Sequence, residues 1–343
     1  MASLYVDSSV DEIRADGRSL ALYRDGRLAG RVPLVPLERV VIQGNVAVQT
    51  RALHLLADEG VGVHLVSGRQ GAWRASVVGR EHKHVALRVA QVRAHLDPAA
   101  STAFARRWVG RKLSGQLENA ERWLRRNPSE REKVHAARVA LEAALGGVEG
   151  AEVESLRGIE GAAARAYFGA MAAVLPPSVN FQGRNRRPPL DPANALLSLT
   201  YTLIHAEWAD QLRLAGFDPG VGFFHALEYG RESLACDLVE PCRPAADRWV
   251  VSLFNEGVFR ASDFGSGGAR AGCWLKDAAR RRYYLCYEEW VHGLRPGWRR
   301  EAYELAGELA GEVAGETGSD PVGGDIGGVA PGQAPKDSGE ESR

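Results

Sequence analysis

The sequence predicts an α+β protein in which a small β-rich N-terminal domain is followed by a larger all-α domain and a disordered acidic C-terminal tail. Three observations predict it. Residues 1 to 80 alternate in the manner of strands between tight turns, and from about His82 the apolar period changes to 3.6 and holds for roughly two hundred residues. After Gly315 there are seven glycines, three prolines and no aromatic residue, too little apolar surface to offset the cost of ordering. The domains therefore divide as 1–80, 81–300 and 301–343.

Within the first domain, SLALYRDGRLAGRV carries Asp25-Gly26 between two alternating runs, the strongest short hairpin signal a sequence offers. Val40-Val41-Ile42 and the run from Val61 to Val66 read as further strands, with a helix over TRALHLLADEG ending at Gly60 between them. GRQG at 68–71 turns the chain back into AWRASVV. In the second domain Val85, Val89, Val92 and Leu96 share a helix face, and Phe104, Trp108, Leu113, Leu117 and Trp123 sustain the next helix despite Gly110 and Gly115. Asn127-Pro128 breaks the pattern, and Ser129 with Glu132 forms a capping-box spacing for the helix that follows. AEVESLRGIEGAAARAYFGAMAAVL is helical up to Pro176-Pro177, and the helix over NALLSLTYTLIHAEWADQLRLAG resumes after a basic loop.

The 343 residues carry 43 basic and 43 acidic side chains, but the balance is uneven. From Glu301 onward ten acids face only Lys336 and Arg343, which leaves 41 bases against 33 acids in residues 1–300. Arg106-Arg107, Arg125-Arg126, the loop Arg184-Asn-Arg186-Arg187 and the run Arg280 to Arg282 gather that surplus into patches suited to phosphate, or equally to solvated helix faces. No stretch approaches the roughly 20 apolar residues of a membrane span, and MASLYVDSSVDEIR has neither a basic leader nor an apolar core, which together point to the cytoplasm. Cys236, Cys242, Cys273 and Cys286 match neither zinc-ligand nor disulfide spacings and read as reduced thiols. Neither GxGxxG nor GxxxxGK[ST] occurs, which argues against a nucleotide-driven enzyme.

The chemistry concentrates in GFFHALEYGRESLACDLVEPCRP, residues 222–244. Its charged residues cannot all serve packing, because buried charges need partners or a metal. Asp237 and Glu240 lie one helical turn apart and can project from one face, and His225 can fold back to the same point. In LRGIEGAAARAYF, Glu160 stands among Gly158, Gly161 and alanines, small residues that admit another helix or a phosphate backbone. Glu160, His225 and Glu240 would supply two hard oxygens and one nitrogen, with Asp237 behind them or as an occasional ligand. That set suits Mg2+ or Mn2+ and phosphodiester cleavage or transesterification. A histidine near helical acids fits a purely structural reading as well. His82-Lys-His84 lacks neighbouring acids and cysteines and reads as a linker, and Tyr283, Tyr284 and Tyr287 read as packing residues.

Those residues carry a resemblance. "IEGAAARAYF", "FQGRNRRPPLDPANALLSLTYTLI" and "GFFHALEYGRESLACDLVEPCRP", with weaker echoes in "LYVDSSV", "VPLERVVIQGNV" and "RRWVGRKLSGQL", resemble CRISPR-associated protein one over roughly residues 3–300. The resemblance implies a metal-dependent DNA endonuclease and integrase that inserts short duplex DNA into a CRISPR repeat array by attack of a 3′-hydroxyl. It implies metal ligands at Glu160, His225 and Glu240, a homodimer built by the N-terminal domains, and double-stranded DNA and the small CRISPR-associated protein two as partners. Where some relatives carry aspartate, this chain has Glu240, which leaves the share of Asp237 in ligation open. Lys112 matches a lysine of the family's basic helix, with a solvated side chain as the other reading. Arg184, Arg186 and Arg187, before Pro188-Pro189, could track a DNA backbone. Arg231 and Arg243 flank the carboxylates and could do likewise, or Arg243 could pair with Glu240 or Asp237. Two other readings stand beside integration: a structure-selective metal nuclease on branched DNA in repair, and a DNA-binding scaffold without catalysis.

Overall fold

The computed structural model describes residues 2–67, 72–77, 84–126, 131–185, 188–267 and 272–317. The fold is the mixed α+β arrangement expected. β1 (Ala2–Val6), β5 (Leu37–Gln43), β7 (Gly62–Ser67) and β8 (Ala72–Val77) form one sheet in that order, the first three parallel and the last antiparallel. β4 (Arg27–Pro33), β3 (Ser19–Arg24), β2 (Glu12–Asp16) and β6 (Ala47–Val48) form a second sheet, and α1 (Thr50–Asp58) packs between the two. The Asp25-Gly26 hairpin is present, with φ of 50° and 70° at its two turn residues, the left-handed pair that lets a two-residue turn follow strand twist. α1 ends where expected, Gly60 taking φ of 70°.

The central strands bury both faces, and period 2 divides the labour. Val6, Val40, Ile42 and Val63 point into the small core with Ile13, Leu20 and Leu56. The alternate residues Tyr5, Arg39, Gln43 and His64 point the other way, into the helical domain. There Arg39 Nη1 lies 2.6 Å from Glu207 and His64 Nε2 lies 2.7 Å from Asp210. Arg295 completes the seam at 2.8 Å from both Glu207 and Glu288.

The helical domain comprises α2 (Val85–Leu96), α3 (Pro98–Arg126), α4 (Arg131–Gly146), α5 (Val153–Val174), α6 (Pro192–Ala215), α7 (Ser233–Val239), α8 (Arg243–Asn255), α9 (Asp277–His292) and α10 (Arg295–Thr317). α5 stops before Pro176-Pro177 as predicted, and Asp191 caps α6 by accepting from the Asn194 N–H at 2.9 Å. Tyr283, Tyr284 and Tyr287 are buried, so the packing reading holds. The four cysteines are free thiols, and burial pushes Cys242 up to about 12. Among the described residues no helix is long and apolar enough to cross a membrane.

Three features depart from the sequence reading. The stripe Val85, Val89, Val92 and Leu96 faces outward, between 43% and 72% exposed, while α2 packs through Leu87, Ala90, Gln91 and Ala94. The cause is polar: the Gln91 amide donates to the carbonyls of Asp218 and Val221 at 2.8 and 2.7 Å, which turns its face inward. Second, the helical domain contains a short antiparallel hairpin, β9 (Phe264–Ser266) with β10 (Cys273–Leu275). Third, α10, which carries the acidic helix end expected after residue 300, continues two residues past Gly315 to Thr317. The GRQG turn, the Ser129 end of the capping box, His82-Lys83, Arg186, Arg187 and the tail from 318 lie outside the described residues.

Candidate metal and DNA centre

Four elements meet at the centre. α5 carries Glu160, the 3₁₀ turn Glu240–Cys242 after α7 carries Glu240, the loop between α6 and α7 carries His225, and α3 brings Lys112 beneath them. The approach of α3 depends on Gly115, where a Cβ would lie 2.9 Å from the Pro244 ring that opens α8.

Asp237 organises the loop and is fully buried. Its Oδ2 accepts from the backbone N–H groups of Phe223 and Phe224 at 2.7 and 3.0 Å, and Oδ1 accepts from the His225 N–H at 2.9 Å. His225 Nδ1 also donates to Oδ1, at 2.6 Å. With Nδ1 donating to a carboxylate, the lone pair is on Nε2, the nitrogen that faces Glu240. Asp237 is therefore the support behind the imidazole, with both its oxygens engaged. Gly222 is required here, because a Cβ would stand 2.7 Å from Asp237 Oδ2 and 2.7 Å from the Ser233 carbonyl carbon.

Glu240 is nearly buried and every oxygen has a charged neighbour. Lys112 Nζ donates to Oε2 at 2.6 Å, Arg243 Nε lies 2.9 Å from Oε1, and His225 Nε2 lies 4.0 Å from Oε1. The Arg243 contact is one of charge, since that N–H is not aligned for a hydrogen bond. Burial raises the carboxyl, but Arg243 and Lys112 outweigh it and hold Glu240 down at about 2. Lys112 Nζ also donates to Glu160, so one ammonium joins carboxylates from two helices.

Glu160 is 24% exposed and His225 27%, so the centre opens on one side. Gly158 and Gly161 are exposed, with nothing among the described residues within 4 Å of a would-be Cβ, and helical spacing turns them to the side of α5 away from Glu160.

The donor set fits a hard divalent ion. Glu160 and Glu240 already converge on one cation, and 4.0 Å between His225 Nε2 and Glu240 Oε1 is within the roughly 3–4 Å that separates two ligands of one ion at about 2.1 Å. As the side chains stand, with the ammonium between them, no three His, Cys, Asp or Glu among the described residues close into a metal cage.

The basic candidates divide. Lys112 is 4% exposed, so its solvated reading is overturned. Arg243 takes its pairing role, with its guanidinium 4.4 Å over the Tyr201 ring. Arg184 turns inward, donating to Asn194 at 2.7 Å and Ser198 at 3.1 Å. Arg231 is exposed and paired with Glu228, and Glu232 pairs with Arg213, so these two acids of the 222–244 stretch face away from the centre. The sequence reading missed the braces of the His225 loop. Besides Gln91, His95 Nδ1 lies 2.6 Å from the Gly222 carbonyl, and Arg157 donates to the Phe224 carbonyl at 3.0 Å. Arg157 stands three residues before Glu160, a spacing that places both on one face of α5 and could have flagged it.

The profile of the family described as CRISPR associated protein Cas1 matches residues 4–289. The chain belongs to that family. It is 38% identical over 303 residues to the CRISPR-associated endonuclease Cas1 1 of Thermodesulfovibrio yellowstonii, covering 88% of this chain and 95% of the relative. Its fold is similar to that of a casposase bound to integration product, with a TM-score of 0.76, 20% identity, and 90% and 91% of the two chains covered. It is also similar to a chain of a Cas6-RT-Cas1–Cas2 complex, with a TM-score of 0.79 and 24% identity over 90% of this chain and 35% of the other.

Proposed function

We propose that this Cas1-family chain is a divalent-metal-dependent DNA integrase and endonuclease that inserts short duplexes into a CRISPR repeat array by 3′-hydroxyl transesterification. The observation that carries this reading is the convergence of Glu160 and Glu240 on a single cation position beside the free Nε2 of His225. Glu160, Glu240 and His225 would hold Mg2+ or Mn2+, which when bound lowers the cost of negative charge building on phosphorus. Asp237 fixes the imidazole tautomer. Arg243 holds Glu240 ionised, and Arg157, Gln91 and His95 keep the loop in register with α5. The partly exposed side of Glu160 and His225 gives a duplex backbone access to the centre, with Arg231 on the exposed loop beside it. By analogy with the casposase bound to integration product and the Cas6-RT-Cas1–Cas2 complex, DNA and a Cas2-type subunit are the partners, and a homodimer through the N-terminal domains in the cytoplasm completes the assembly.

His225→Ala should abolish Mn2+-dependent strand transfer while duplex binding persists, read on a gel that separates joined from nicked strands. Nicked products alone from the parent protein would favour a repair nuclease. A second reading, a DNA-binding scaffold, is favoured by one observation: Lys112 and Arg243 already satisfy the acids. It predicts no Mn2+ binding to the protein.

A further inference from the structure

The Lys112 ammonium occupies the place that the proposed reaction reserves for a metal. We propose that Lys112 is an exchangeable counter-cation: it holds Glu160 and Glu240 together when no metal is bound, and a divalent ion must expel it to enter. The inference rests on the metal-dependent reading above.

Three features set Lys112 apart from an ordinary buried ion pair. It bridges acids 48 and 128 residues away in sequence, from two separate elements, so it is the link between α5 and the turn after α7. A compact ammonium on a flexible four-carbon stem can leave by rotation alone, whereas the neighbouring Arg243 is fixed by its stacking on Tyr201. The side toward solvent is that of Glu160, the more exposed of the two acids at 24% against 7% for Glu240. An ammonium and a divalent ion cannot share one pair of carboxylates, because their mutual repulsion inside a poorly screened site cancels what the acids supply. The charge count agrees. Three carboxylates, Glu160, Glu240 and Asp237, stand against two cations, Lys112 and Arg243, so with Arg243 retained the exchange of one positive charge for two brings the centre from net negative to neutral. Lys112 thereby keeps the acids preorganised and lowers the apparent metal affinity, so that weakly available ions do not settle in the resting protein.

The test is Mn2+ titration of the full-length protein by calorimetry and by the loss of free Mn2+ signal in electron paramagnetic resonance. The parent protein is compared with Lys112→Met, Lys112→Gln and Lys112→Arg. Gln keeps hydrogen-bond donors to the acids and guards against a fold lost in the Met variant, which circular dichroism checks. Both neutral variants should bind Mn2+ about 10-fold or more tightly than the parent, a typical coupling between competing ligands, and Arg should bind no more tightly than the parent. Unchanged or weaker Mn2+ binding by the folded Gln variant would overturn the inference, because a lysine that merely props the acids weakens the site when removed. Absence of Mn2+ binding by every form would overturn the metal reading itself and the inference with it.

Discussion

Two clusters of buried charge, one at the seam between the domains and one within the helical domain, are built differently. At the domain seam Arg39 and Arg295 present rigid guanidinium forks to Glu207, with Glu288, Asp210 and His64 as further fixed partners, although Arg39 Nε and Asp210 Oδ1 make no hydrogen bond among the described residues. At the centre two carboxylates share one flexible ammonium, one of them is 24% exposed, and the imidazole nitrogen facing them stands 4.0 Å from Glu240, with no hydrogen bond among the described residues. The seam is held by rigid guanidinium forks; the centre rests on one flexible ammonium. The contrast teaches that a functional charge cluster is marked less by burial than by replaceable pairing.

The sharpest way to break the comparison is at Glu207. Glu207→Ala leaves Arg39 and Arg295 buried without their shared partner and should cost about 3–5 kcal/mol of stability, measured by chemical denaturation. A loss no larger than that of a surface substitution would show that the forks on Glu207 do not hold the seam.

Next is a pair of buried aspartates with opposite behaviour. Burial opposes ionisation of Asp210, but His64, Arg39 and Arg213 outweigh it and hold the carboxyl below its usual value of 3.8. Its stability contribution is present above that value and is lost as pH falls through the lowered one. Asp247, behind Arg243, is pushed up by burial to about 6 despite the Tyr201 hydroxyl bonded to it. A raised carboxyl works in the reverse sense: its contribution is complete below 3.8 and is lost as pH rises through about 6, a change of about 3 kcal/mol. The stability of Asp247→Asn minus that of the parent should therefore rise by about that amount between pH 4 and pH 7. A flat difference would contradict the assignment.

Gly222→Ala should cost about 1–3 kcal/mol and displace the His225 loop, lowering strand transfer more than stability explains. Thermal melts and activity on the same samples would check it. The smallest stability effect is expected for His225→Ala, below about 1 kcal/mol, because the side chain is 27% exposed and its loop is held by backbone bonds to Asp237.

Much of this was legible in the sequence, for reasons that can be named. Local chemistry announced the Asp25-Gly26 hairpin, the Gly60 helix end and the stop at Pro176-Pro177, each fixed by the φ its own residues allow. Glu160, His225 and Glu240 were legible as unpaired chemistry in apolar surroundings, and family motifs brought the three together. Other features were set by long-range contacts that spacing does not encode. The outward stripe of α2 depends on Gln91 reaching carbonyls 127 and 130 residues away. The burial of Lys112 depends on Gly115 admitting Pro244, and the inward turn of Arg184 on Asn194 and Ser198. The hairpin of β9 and β10 has only three residues per strand, too few for alternation to declare itself.

The central claim is that one divalent ion touches both Glu160 and Glu240 together with the imidazole of His225. Pulsed electron paramagnetic resonance of the Mn2+-loaded protein tests it directly through nitrogen coupling to the manganese. A coupling present in the parent and absent in a His225→Ala sample that still binds Mn2+ is the expected result. Bound Mn2+ without nitrogen coupling in the parent, or with the same coupling after His225 is removed, would contradict the claim.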